Sequence, residues 1–137
     1  ARKLARIAPA NVHVLSRVSA AEYHQYHRRA SVTVIPLDAS IERSCGQLEA
    51  FEAVDLGRPL VLSRTFHLKD YFDDRHAFFF DEANATSLAQ AICAALENEN
   101  ERKRRSQNAR LQVQEHFSED AFVDSLLRIL QEVGENS

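Results

Sequence analysis

The stretch Ser44-Cys45-Gly46-Gln47-Leu48-Glu49-Ala50-Phe51-Glu52 holds the residues best suited to chemistry. Ser44 and Gln47 have the S-x-x-Q spacing of a capping box, which predicts that a helix opens here. The first turn of a helix presents unpaired backbone N–H groups and a positive dipole end, suited to a phosphate or diphosphate. Gly46 removes a side chain where a ligand would approach. Glu49 and Glu52 are three apart and project from one helix face. A carboxylate one to two turns below a bound phosphate can accept hydrogen bonds from ribose hydroxyls. A plainer reading is a capped helix whose acids favour its dipole, and the local pattern leaves both open.

Other reactive side chains are less well supported. Cys45 at a helix N-terminus is placed where a thiol can act as a nucleophile, but no partner His is indicated, so a catalytic thiol is not assigned. His24 and His27 are three apart on one helix and lack a third ligand, so they are read as surface residues and no metal is expected. Cys93 is read as core packing. Asp38 after a strand invites a receiver-domain reading, but the acidic pair that reading needs is replaced by Ser16 and Arg17. With glycines at positions 46, 57 and 134 there is no G-x-G-x-x-G turn and no Walker-type loop.

These residues need a scaffold, and the apolar pattern supplies one. Val12-His13-Val14-Leu15, Val32-Thr33-Val34-Ile35, Leu60-Val61-Leu62 and Ala77-Phe78-Phe79-Phe80 read as four strands covered on both faces, the signature of a parallel sheet. Ser19 caps a helix through Ala30, and the helix opened by Ser44 closes at Gly57 and Pro59. Leu88, Ile92 and Leu96 mark an amphipathic helix from about Asn84 to Glu97. A charged helix runs from Glu101 to His116, and Ser118 caps the last one. That last helix is predicted to bury Phe122, Val123, Leu126, Leu127, Leu130 and Val133 and to stop at Gly134. Alternating strands and helices predict a three-layer α/β domain with right-handed crossovers and a C-terminal helical pair. In an open parallel sheet ligands sit beyond the carboxyl ends of the strands, where the Ser44–Glu52 stretch lies.

Composition agrees with one soluble domain. The chain has 137 residues, 45% hydrophobic and 27% charged. Its 17 Lys plus Arg against 20 Asp plus Glu give a net charge of -3, so bulk charge does not point to nucleic acid. Two cysteines are too few for a disulfide framework, which favours a reducing, cytoplasmic compartment. Glu101-Arg102-Lys103-Arg104-Arg105 reads first as a solvated helix face and second as a peripheral contact with an anionic membrane. The chain contains no Met, even at position 1, as expected of a piece of something longer.

Asn11-Val12-His13-Val14-Leu15-Ser16-Arg17-Val18-Ser19 resembles the "NVHFLGRVS" segment of retaining glycosyltransferases of the GT-B fold, family 4 type. Glu52-Ala53-Val54-Asp55-Leu56-Gly57-Arg58-Pro59-Leu60-Val61-Leu62-Ser63 resembles their "EAMACGTPVVAS". Ser87-Leu88-Ala89-Gln90-Ala91-Ile92 and His116-Phe117-Ser118 match "ALAEAI" and "HFS". The resemblance implies a Rossmann-like half of a GT-B fold that binds a UDP-, GDP- or ADP-linked sugar. It further implies hexosyl transfer with retention to a glycan or lipid-linked acceptor, as in polysaccharide biosynthesis, with no obligatory metal or cofactor. Glu52 matches the second acid of the family's E-x7-E motif, which holds the donor ribose, and Ser44 stands where the first acid belongs. Cys45, Gly46 and Gln47 replace the "GFG" turn facing the diphosphate and sugar, and Arg17 and Val18 match positions lining the base pocket. Leu37 replaces a serine after the strand, and Phe66 and His67 replace glycines. The family's N-terminal acceptor domain and the two βα units bearing its diphosphate-gripping Arg and Lys have no counterpart here. This chain alone is therefore predicted to be inactive, and its first strand to lack a neighbour or to pair with another molecule. The competing expectation is a non-catalytic α/β module binding a nucleotide or a protein.

Overall fold

The β-branched and aromatic runs without polar alternation form the sheet, because their side chains are apolar on both faces. The computed structural model describes residues 8–37 and 45–135. Strands β1 (Thr33–Ile35), β2 (Leu60–Ser63) and β3 (Phe78–Phe80) lie side by side in that order, all parallel. Val34 sits opposite Val61, and Val61 opposite Phe78. The central strand is buried at every position.

Around the sheet run α1 (Ala20–Arg29), α2 (Gln47–Asp55), α3 (Phe66–Lys69), α4 (Ala85–Glu97), α5 (Glu99–His116) and α6 (Glu119–Glu135). The period-two alternation of the strands divides the core. Ile35, Leu60 and Leu62 pack with Ala50, Ala53 and Val54 of α2 and Ala109 of α5. Val61, Phe78 and Phe80 pack with Ala91 and Ala95 of α4. The result is the expected three layers, helix, sheet and helix, with small residues on the helices letting their backbones lie close to large residues of the strands. Each fully buried leucine of β2 contributes about 1.5–3 kcal/mol.

The sheet has three strands among the described residues rather than four. Residues 12–15 form no ladder, and Val12 and Leu15 are about half exposed. A strand needs a neighbour for its N–H and C=O groups, and β1 uses its described pairing edge on β2. An apolar run was therefore not enough to make this segment a strand.

The helix ends follow local chemistry closely. Ser19 and Glu22 form a complete capping box on α1. Asn84 and Asn98 accept from the amides of Ser87 and Glu101 and so start α4 and α5, and Ser118 Oγ accepts from Ala121 N–H to start α6. The capping box expected at Ser44 and Gln47 is not what starts α2. Gly46 is its N-cap with no side-chain bond, which makes Gln47 the first helical residue. Ser44 lies outside the described residues, as do Asp38 and the residues between them.

Two burial expectations are corrected. The apolar stripe of α6 is exposed along its length, from Phe122 at 66% to Val133 at 61%, and Gly134 lies inside the helix. Cys93 is exposed, because Ala91 and Ala95 are the residues of α4 that face the sheet. No described helix is long and apolar enough to cross a membrane.

Candidate functional site

The carboxyl end of β1 fixes where α2 begins. Gly46 adopts φ 82°, the left-handed region that a residue with a Cβ enters at a cost. A Cβ there would come within 2.8 Å of Leu37 Cδ1 and 3.3 Å of Ile35 Cγ2. The space left by the missing side chain is thus filled by the end of β1 itself, and Gly46 is buried beneath it.

Leu37 is held in turn by Ser63. The Ser63 hydroxyl is fully buried, accepts from Leu37 N–H at 2.8 Å and lies 3.5 Å from the Ile35 carbonyl. Ser63 ends β2, so one side chain ties the exits of two neighbouring strands to the start of α2. Sequence reasoning did not single it out for this, because serine after an apolar run is common and its partner is 26 residues away.

On α2 itself the three faces have separate tasks. Ala50, Ala53 and Val54 face the core. Phe51 joins an aromatic cluster, with ring centroids 5.6 Å from both Tyr71 and Phe117. Glu49 and Glu52 share the remaining face, and the Tyr23 phenol of α1 lies near enough to interact with both carboxylates. The Tyr23 phenol is held above its ordinary pKa, first by burial, then by the neighbouring carboxylate of Glu52 and the negative charge of Glu49. The two acids and one phenol therefore meet, as the three-residue spacing predicts for the acids. Tyr23 is the member of this group that the sequence did not reveal.

Leu48 is 68% exposed and Glu49 is exposed, so the first turn of α2 stays open to solvent on that side, with Cys45 half-buried just before it. Gly46, the N-cap, brings no side chain to this turn, whose amides point outward from a positive helix end of the kind that suits an anion. Arg17 and Val18 lie two and one residues before the cap of α1, both exposed. Arg17 adopts φ 61°, a strained backbone position for a side-chain-bearing residue. The Thr65 hydroxyl, just past the end of β2, is buried without a hydrogen-bond partner among the described residues. Among the described residues no three His, Cys, Asp or Glu side chains gather closely enough to hold a metal ion.

Comparison with known proteins gives a consistent picture. Residues 1–112 match the family described as Glycosyl transferases group 1. No curated protein matches the chain in sequence. Among solved structures, sucrose-phosphate synthase from Thermosynechococcus elongatus superposes with a TM-score of 0.70 at 21% identity. The match covers 92% of this chain and 31% of that one, so the likeness is one of fold, over about a third of the larger molecule.

Proposed function

Because the chain belongs to the group 1 glycosyl transferases, we propose that it supplies the donor-binding end of a retaining hexosyltransferase. The donor is a nucleoside diphosphate sugar, linked to UDP, GDP or ADP. The acceptor is a glycan or a lipid-linked sugar, held by chain outside this fold.

The observation that carries this reading is the Glu49–Glu52 face of α2, with the Tyr23 phenol beside it, below a first turn whose N-cap is a glycine. A diphosphate above that turn meets backbone N–H groups and the positive end of the helix. Ribose hydroxyls then fall within reach of Glu52, whose carboxylate oxygens are strong hydrogen-bond acceptors. The strained turn at Arg17 sets the chain beside the base. Catalysis by such a site consists of positioning and of neutralising the departing diphosphate. Neither task needs a side-chain nucleophile.

Calorimetric titration of the whole protein with UDP, GDP and ADP tests the proposal. One of the three is expected to bind. Glu52→Gln, which removes a charged acceptor of hydroxyl hydrogen bonds, is expected to weaken it by about tenfold or more. Failure of all three nucleotides, or unchanged affinity in E52Q, would overturn it.

A further inference from the structure

The opposite edge of the sheet holds a groove of about 720 Å³. It lies where β1 and β2 begin, lined by Ser31 and Pro59, and so faces away from the carboxyl edge discussed above. Five cations line it, Arg29, Arg58, Arg102, Lys103 and Arg110, and no Asp or Glu does. In a chain of net charge -3 this is a local reversal of sign.

Two of these cations are fixed without being neutralised. Arg58 donates through Nε to the Leu56 carbonyl at 3.0 Å and through Nη1 to the Ala30 and Arg28 carbonyls at 3.1 and 3.3 Å. Arg102 donates through Nη1 to the Ala95 and Leu96 carbonyls at 3.0 and 2.9 Å. Carbonyl acceptors orient a guanidinium and leave its net charge in place. Lys103 pairs with Glu99 on the solvent side, at 2.6 Å with both side chains largely exposed, where such a pair contributes little. Arg29 and Arg110 are exposed and make no ion pair among the described residues. Arg102, Ser106 and Arg110 recur every four residues and so line one face of α5.

Crowding like charges into a concavity raises their mutual repulsion, and a bound dianion relieves it. Orienting the guanidinium planes during folding reduces the entropy lost on binding. The volume matches that of small-molecule sites and exceeds what a bare phosphate fills. We propose that this groove binds a small soluble phosphate ester, at a second anion site separate from the donor edge. Its concave shape fits a compact solute better than the flat surface of a bilayer.

The test is a titration of the ¹⁵N-labelled whole protein with inorganic phosphate, followed by amide chemical shifts. Saturable shifts are expected at Ser31, Gly57, Arg58 and Ser106. The R29E/R110E double variant removes two exposed cations that hold no other part of the fold. It is expected to weaken phosphate by at least about tenfold, while R29K/R110K stays within about threefold. Shifts confined to residues 46–49, or an affinity unchanged in R29E/R110E, would overturn the proposal. So would a protein that co-sediments with equal-part phosphatidylcholine and phosphatidylglycerol vesicles yet shows no saturable phosphate shifts.

Discussion

Single hydroxyl and imidazole groups set much of the local geometry here. Ser63 anchors Leu37, and the Tyr23 phenol sits beside the acids of α2; each joins elements that no local sequence pattern connects. His76 plays a comparable part before β3. It is buried, and its Nδ1 accepts from the Asp73 amide at 3.1 Å, the arrangement of a neutral ring. Burial lowers its pKa below the ordinary 6.5, outweighing the opposing pull of the Asp73 carboxylate 2.9 Å away. In the unfolded chain this imidazole takes up a proton near 6.5, whereas the folded one resists until lower pH. The unfolded state thus binds more protons in that interval, and stability falls as pH drops below 6.5. Urea midpoints measured from pH 7.5 down to 5 are expected to decline, and His76→Gln is expected to flatten the decline. An equal slope in both proteins would show that His76 titrates alike in the two states.

At the scale of elements, what could be read in advance depended on how far the deciding partner lies along the chain. Caps at Ser19, Asn84 and Ser118 act within three residues, and the helices begin where those residues indicate. The β1–β3 runs are apolar enough to be strands only if covered, and they are covered. Residues 12–15 have the same composition but no neighbouring strand, a fact absent from their own sequence. The acids of the candidate site were legible from their spacing on α2, whereas Tyr23 was not, since it belongs to another helix. The start of α2 shows the same limit. Ser44 and Gln47 suggest a capping box, yet the long-range fit of Gly46 against Leu37 and Ile35 places the N-cap two residues later than Ser44. Gly46→Ala should therefore act on the whole element. It adds a left-handed backbone penalty of about 1–2 kcal/mol and a contact that Leu37 must yield to. A loss of about 2 kcal/mol in urea unfolding is expected, together with weaker nucleotide binding. A stability loss below about 0.5 kcal/mol would mean that the turn relaxes to another conformation.

For the molecule as a whole, charge and apolar surface are distributed unevenly. Much of the basic run on α5 is engaged in the fold. Arg104 and Arg105 both bond to Glu101, whose carboxyl they hold down to about 2, and Arg105 also lies 4.3 Å from the centre of the Phe78 ring. That leaves the groove at the start of β1 and β2 as a concentration of positive charge, with Lys103 alone among its five cations in an ion pair among the described residues. The apolar side chains of α6 show the converse. Their spacing is that of a buried face, yet Leu127 and Leu130 are 53% and 58% exposed, so this fold gains little hydrophobic stabilisation from them. A core leucine exchanged for a polar residue costs several kcal/mol, because both the apolar contact and the polar group's hydration are lost. Here neither is lost, and Gln is as good a helix former as most. Leu127→Gln and Leu130→Gln are each expected to change the unfolding free energy by no more than about 0.5 kcal/mol. Leu62→Gln in the fully buried central strand should prevent folding or lower stability by about 3 kcal/mol or more. Parallel urea titrations of the three variants check this, and a large loss from either α6 change would mean that the stripe is covered in solution.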